Sequence, residues 1–285
     1  MSGSAIFTEF QAYYPLIFDK KRIEIMKTLK RIAIVNAVIV AVIALSAFIW
    51  VGSAQEKKIE QPVNGKGFAV LELFTSEGCS SCPPAEELLA KIEKESNGKP
   101  VYVLGYHVDY FDNLGWKDVF GSPENTKRQK KYSAWLNAQV YTPQLVINGA
   151  QEFIGSNESE VRNAINKQLL NKKYTASLAF DTKRDGEELT INYETKDTQA
   201  SDDLLFALVQ KGGSTHVQRG ENAGLKLSHV QIVRKTLTLS LKDAKSGTAV
   251  LNIPKGSNAE KWEVIGMVQH KITGAISAVN ASTTF

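Results

Sequence analysis

A chain of 285 residues with 43% hydrophobic content can build one large domain or two ordinary ones, which excludes a disordered or low-complexity protein. The formal charge is +4, but residues 1–54 carry six Lys/Arg against three acids, a net +3, so the remainder carries only +1. Such a balance gives no electrostatic reason to expect a nucleic-acid partner, and the run Lys127, Arg128, Lys130, Lys131 reads as a solvated helix face.

In chain order, residues 1–31 form a basic segment ahead of an apolar run, residues 32–51, interrupted only by Asn36 and Ser46. As a helix this run would be ~30 Å long, enough to cross a bilayer. The positive charges of Lys27, Lys30 and Arg31 on its N-terminal side predict a cytoplasmic start and export of everything after residue 54. Residues 32–54 therefore read as a transmembrane or signal segment. Met26 opens a stretch with the layout of a signal peptide, with Gly52 and Ala54 where a signal peptidase would read small residues. A start at Met26 with cleavage and a start at Met1 with a retained anchor both stand as readings. The functional part is expected on the periplasmic or extracytoplasmic side, membrane-anchored or secreted.

Residues 55–67, "QEKKIEQPVNGKG", are polar with Pro and Gly and read as a linker. "FAVLELF" then reads as a buried strand, and Ala85, Leu88, Leu89 and Ile92 recur at helical spacing until "SNGKP". "VYVLGYHV" is a second buried strand. "SPENTKRQKKYSAWLNAQ" begins with Ser-Pro and places Tyr132, Trp135 and Leu136 at helical spacing. "QLVING" is a strand ending in an Asn-Gly turn, with "QEFIG" as its hairpin partner, and a helix from about residue 158 to 171 follows. This β-α-β-α-β-β-α order predicts a central sheet with helices on its faces over residues 68–173. From residue 174 to 285 short strand-like runs separated by "DGEE", "KSG" and "KGSN" predict an antiparallel, sandwich-like all-β domain.

Both cysteines lie in "FTSEGCSSCPPAEELL". A Cys79-x-x-Cys82 pair between a strand and a helix suits redox chemistry, because the helix N-terminus stabilises a thiolate at the first Cys. Pro83 and Pro84 fit the first helical turn, where their missing N–H groups cost nothing. A structural staple is the plainer reading, but so short a loop removes only about 2 kcal/mol of unfolded-state entropy. A tetrahedral metal site would want four ligands, and no second Cys pair exists. Redox centre, metal clip and staple all stay open on these residues alone.

Strand, CxxC helix, strand, helix, and then "VYTPQLVING" with a Thr-Pro before a strand resemble the thioredoxin fold. "YHVDYFDNLGWKDVF", "RQKKY" and "RGENAGLKLSHVQIVR" narrow the resemblance to DUF1223, a bacterial family of exported thioredoxin-like proteins, from about Phe68 to the C-terminal end. It implies an α/β thioredoxin-like domain followed by the all-β sandwich-like domain, behind the N-terminal transmembrane or signal helix. It also implies that Pro143, in a cis bond to Thr142, faces the cysteines and leaves backbone free for an extended substrate. Ordinary thioredoxins carry an aromatic residue before the first Cys and Gly-Pro between the pair, where this chain has Gly78 and Ser80-Ser81. They also bury an acid in the preceding strand; Glu72 is the nearest equivalent, one residue farther away, and is a candidate proton acceptor.

In the second strand's C-terminal loop, His107, Asp109 and Asp112 could supply a base or metal ligands, and Tyr106, Tyr110, Phe111 and Trp116 could line a substrate groove. "HVQRGENAGLKLSH" reads either as an ordinary long hairpin loop or as a cover over the cysteine site. The function expected is that of an exported thiol–disulfide oxidoreductase. Its catalytic residues would be Cys79, Cys82, Pro143, Thr142 and Glu72. Tyr106, His107, Asp109 and Trp116 would bind the substrate, a protein or small-molecule thiol or disulfide, and no cofactor would be needed. The alternatives are a copper- or zinc-binding module using Cys79, Cys82 and His107, and a non-catalytic binding protein.

Overall fold

The computed structural model describes residues 67–242 and 244–282, together with residues 26, 27, 29–31 and 36. The expected membrane or signal segment, residues 32–54, lies outside the described residues except for Asn36, and so does the linker, 55–67, except for Gly67. Among the described residues no helix is long and apolar enough to cross a membrane.

The first strand, β1 (Ala69–Thr75), is buried at every position, as a strand covered on both faces should be. It feeds α1 (Pro83–Glu95), which starts on the two prolines and buries Ala85, Leu88, Leu89 and Ile92 along one stripe. β2 (Val101–His107) runs parallel to β1. α2 (Pro123–Leu136) is capped by the Ser122 side chain, which accepts from the Asn125 N–H. β3 (Gln144–Ile147) and β4 (Gln151–Ile154) form the expected hairpin. At its turn Asn148 and Gly149 both hold positive φ, at 49° and 64°, the geometry that favours Asn-Gly. Glycine is further required at position 149 because a Cβ there would lie 1.9 Å from the Gly274 carbonyl oxygen. α3 (Glu158–Leu169) packs beside α1, and the buried Arg162 ties the two by pairing with Glu95 and Glu158, each at 2.7 Å.

Alternation along β1 sends Leu71 and Leu73 to a core beneath α1 and α3, and Val70 and Phe74 to a core on the opposite face with Tyr132 of α2. The basic run of α2 divides accordingly. Lys127, Lys130 and Lys131 are exposed as expected, but Arg128 is buried, and the helix turns Asn125, Thr126, Gln129 and Tyr132 inward with it.

The C-terminal half departs from a separate sandwich. β5 (Ser177–Asp185), β6 (Glu188–Lys196) and β9 (Ser246–Asn252) form a three-stranded sheet. β7 (Asp202–His216), β8 (Lys226–Ser240), β10 (Trp262–His270) and β11 (Ile276–Ser282) instead join the first half in one eight-stranded sheet, ordered β11-β10-β7-β8-β2-β1-β3-β4. The joint is the parallel pairing of β2 with β8 at Gly105 and Ile232. The boundary expected at residue 173 is thus no divide in the structure, and the described residues from Gly67 onward belong to one unit. The physical reason is that β2 needs a backbone partner on the side away from β1, and β8 supplies it. Sandwich packing survives locally, where Leu189, Ile191 and Leu251 of the small sheet meet Leu204, Phe206 and Val264 of the large one.

Candidate functional site

Cys79 and Cys82 form a disulfide, with Cα atoms 5.4 Å apart. Cys79 lies on a turn closed by its own N–H to the Ser76 carbonyl at 3.1 Å, and Cys82 is the residue at which α1 begins. The Thr142-Pro143 bond is cis. Thr142 Oγ1 donates to Cys79 Sγ at 3.2 Å, and the Ser81 hydroxyl lies 3.4 Å from the same sulfur. Residues 142 and 79 are 63 positions apart in sequence, yet the start of β3 is brought directly against the cysteine turn.

The glycine-containing loop between β7 and β8 lies over this turn, so of its two readings the cover is the one observed. Asn222, 3% exposed, donates through Nδ2 to the carbonyls of Glu77 and Cys79, both at 2.9 Å. Glu221 accepts from the Ser80 N–H at 3.0 Å. Gly220, at φ 78°, passes so close to Trp116 that a Cβ would lie 3.3 Å from the Trp116 Cβ. Cys79 has only 3% exposure, while Ser80 and Ser81 remain at the surface.

Beside the turn lies a buried polar cluster. His107, at the end of β2, is paired in register with Thr75, and its Nδ1 meets Asp118 Oδ2 at 2.7 Å. Asp118 also accepts the Glu77 N–H at 2.9 Å. Trp116 Nε1 donates to Glu77 Oε2 at 2.7 Å, which makes Trp116 part of the wall of this site. His229 of β8 bridges two carboxylates, Glu86 through Nδ1 and Glu77 through Nε2, the latter at 3.3 Å. Thr75 Oγ1 donates to the other oxygen of Glu86 at 2.6 Å, and the His107 and His229 rings are 4.7 Å apart edge to face.

Burial pushes Glu86 up, but the hydrogen bond and charge of His229, the charge of His107 and the Thr75 hydroxyl together hold the carboxyl below its usual range; at Asp118 burial is likewise overcome, by the His107 ring and the backbone N–H groups of Glu77 and Phe120 together. Burial pushes His229 down, but its hydrogen bonds to Glu77 and Glu86 prevail and hold it up at about 9. The raised value makes the bridge a stabilising element that is complete below the unfolded value of about 6.5 and lost as pH rises through about 9. The urea midpoint should therefore fall between pH 6.5 and 9.5 in the wild type, and fall less in His229→Gln; equal slopes in the two proteins would refute the bridge.

Four expected site residues are placed differently. Glu72 faces α2, not the cysteines. Arg128 Nε donates to its carboxylate at 2.5 Å and Tyr132 OH donates to its other oxygen, so no proton-acceptor role at the cysteines survives. The displacement by one residue along β1 sends the side chain to the other face of the sheet. Tyr106 is fully buried on that same face with the Arg128 guanidinium 5.4 Å over its ring, and lines no groove. Asp109 accepts from the Thr126 hydroxyl at 2.5 Å and so ties its loop to α2. Asp112 similarly accepts the Asp118 N–H, at 3.1 Å. The set Cys79, Cys82 and His107 does not hold a metal here, because the two sulfurs are bonded to each other. Sequence reasoning missed Glu77, Glu86 and Asp118. Glu86 looks like any acid in a first helical turn, and only its position four residues after Cys82 marks its direction.

A family model described as "Protein of unknown function (DUF1223)" matches residues 70–269. No curated protein matches the chain. Among solved structures, protein AGR_C_4864 from Agrobacterium tumefaciens is similar at 28% identity and a TM-score of 0.58, over 75% of this chain and 92% of its own. HBP35 of Porphyromonas gingivalis is similar at 17% identity and a TM-score of 0.58, over 78% of this chain and 76% of its own, a likeness of fold alone.

Proposed function

The chain belongs to the DUF1223 family, and from that premise we propose that it is an exported thiol–disulfide oxidoreductase of the thioredoxin-like superfamily. The observation that carries the reading is Thr142 Oγ1 at 3.2 Å from Cys79 Sγ, with Cys79 and Cys82 placed where α1 begins. The arrangement β2-β1-β3-β4, with β2 parallel and β3 antiparallel to β1, supports the superfamily. The apolar run at residues 32–51, with Lys27, Lys30 and Arg31 before it, supports a site outside the cytosol, anchored or secreted, where a disulfide persists.

In the reducing direction, the Cys79 thiolate attacks one sulfur of a substrate disulfide, forms a Cys79–substrate disulfide and expels the other substrate sulfur as a thiolate. The Cys82 thiolate then attacks the Cys79 sulfur, re-forms the Cys79–Cys82 bond and releases the second substrate thiolate. The oxidising direction is the reverse, and the potential of the partner sets which one runs. The Thr142 hydroxyl, already donating to Cys79 Sγ, stabilises negative charge on that sulfur. Substrates are protein or small-molecule thiols and disulfides. Cys82→Ser should accumulate a mixed disulfide when mixed with glutathione disulfide or a peptide disulfide, and Cys79→Ser should not. A wild type that neither reduces nor forms disulfides, with no trapped adduct in Cys82→Ser, would overturn the reading.

A further inference from the structure

We propose that Glu86, His107 and His229 form a binding site for a divalent transition cation, with Zn2+ the best chemical match. The inference stands apart from the cysteine chemistry, since neither sulfur belongs to the donor set. One donor atom from each residue lies within 4.8 Å of the other two, and all three residues are buried. They come from α1, β2 and β8, so the site assembles only when the CxxC helix, the parallel strand beside β1 and the C-terminal half of the sheet are together.

Each imidazole is already held from behind by a carboxylate. Asp118 engages His107 through Nδ1 at 2.7 Å, and Glu77 engages His229 through Nε2 at 3.3 Å. The nitrogens left for a cation are Nε2 of His107 and Nδ1 of His229. A carboxylate behind each ligating histidine fixes its ring and raises its basicity, which is the support that metal-binding imidazoles usually have. Glu86 is oriented in the same way by the Thr75 hydroxyl at 2.6 Å, and Glu77 by Trp116 Nε1 at 2.7 Å. The supporting shell of a metal centre is thus in place around all three donors.

Charge points the same way. Glu77, Glu86 and Asp118 are three buried carboxylates against two imidazoles and, beyond Asp118, the Arg234 guanidinium. Buried charge demands a partner. The Arg234 guanidinium stacks 5.1 Å from the centre of the Phe120 ring and acts on Asp118 from beyond contact distance. With both rings neutral, as ligation requires, the three carboxylates and Arg234 leave a charge of −2, which a divalent cation would balance in place of the proton on the His229–Glu86 bridge. Two imidazoles and one carboxylate suit Zn2+ in nature and number, with the fourth tetrahedral position open. Tetrahedral ligands at Zn2+ distances are separated by ~3.3 Å, so His229 Nδ1 and Glu86, now in direct hydrogen-bond contact, must part to admit the ion.

The test is titration of the full chain, stripped with chelator, with Co2+ as a spectroscopic probe and Zn2+ as competitor. Visible ligand-field bands of tetrahedral intensity are expected at one Co2+ per chain, abolished by excess Zn2+ and retained in a Cys79→Ser/Cys82→Ser double variant. His107→Ala and His229→Ala should each remove the bands. The near-isosteric Glu77→Gln keeps the test decisive if those variants fail to fold, and should weaken Zn2+ by 10–100-fold. Absence of the bands in the wild type, bands that survive loss of both imidazoles, or bands lost in the cysteine double variant would each overturn the proposal. Unchanged exchange activity in a metal-free protein leaves the oxidoreductase reading standing by itself.

Discussion

Arg128→Met is expected to destabilise the fold by about 3–5 kcal/mol, the usual cost of stripping one partner from a buried ion pair. Glu72 is fully buried in mid-β1, where Arg128 and Tyr132 hold its two carboxylate oxygens. Arg128 also donates to Gln269 Oε1 at 3.2 Å and to Tyr132 OH at 3.0 Å, and its guanidinium lies 5.1 Å over the Tyr132 ring. Gln269 belongs to β10 and itself donates to Tyr132 OH at 2.8 Å, so the network clasps the C-terminal half of the sheet to α2. Methionine fills much of the volume but leaves the Glu72 carboxylate without its counter-charge. The double variant Arg128→Met/Glu72→Met removes the orphan as well, and should recover a large part of the loss. Urea unfolding with an unchanged slope would measure both. A single variant within 1 kcal/mol of wild type would mean that the pair carries no weight in the fold.

That network also shows where the sequence stops being informative. The ends of α1 and α2, the Asn148-Gly149 hairpin and the Cys79/Cys82 turn are written in neighbouring residues, by proline at a helix start, a capping serine and a turn dipeptide. These were legible because their physics is local. Arg128 sits among Lys127, Lys130 and Lys131, and nothing local tells it apart, because its partner Glu72 is 56 positions away. The bridge from His229 to Glu86 spans 143 positions. The pairing of β2 with β8 likewise joins residues 105 and 232. Strand patterns give the faces of a strand but not its neighbour, so the C-terminal strands read as a domain of their own. Short runs between turn residues mark these segments as strands, but nothing in them says that four of them extend the first sheet.

The same long-range joining makes Asn222→Ala the most informative variant at the cysteines. It should speed reduction of the Cys79–Cys82 disulfide by a water-soluble phosphine about thirty-fold. Asn222 contributes two hydrogen bonds from its side-chain amide, to the Glu77 and Cys79 carbonyls, and it does so from a buried position. Two such bonds contribute about 2 kcal/mol to holding the loop down. Their loss raises the population of the lifted loop by the corresponding factor, and attack through that open form follows its population when the loop opens and closes faster than the reagent reacts. The Glu221 contact to Ser80 is solvent-exposed, so Glu221→Gln should change the rate far less. Cys79 is only 3% exposed, so a substrate, like the phosphine, needs the sulfur uncovered before a mixed disulfide can form. A rate equal to wild type in Asn222→Ala would show that reagents reach the sulfur by another path. A rate increase with unchanged stability would identify the loop from the C-terminal half as the element that governs access to the disulfide.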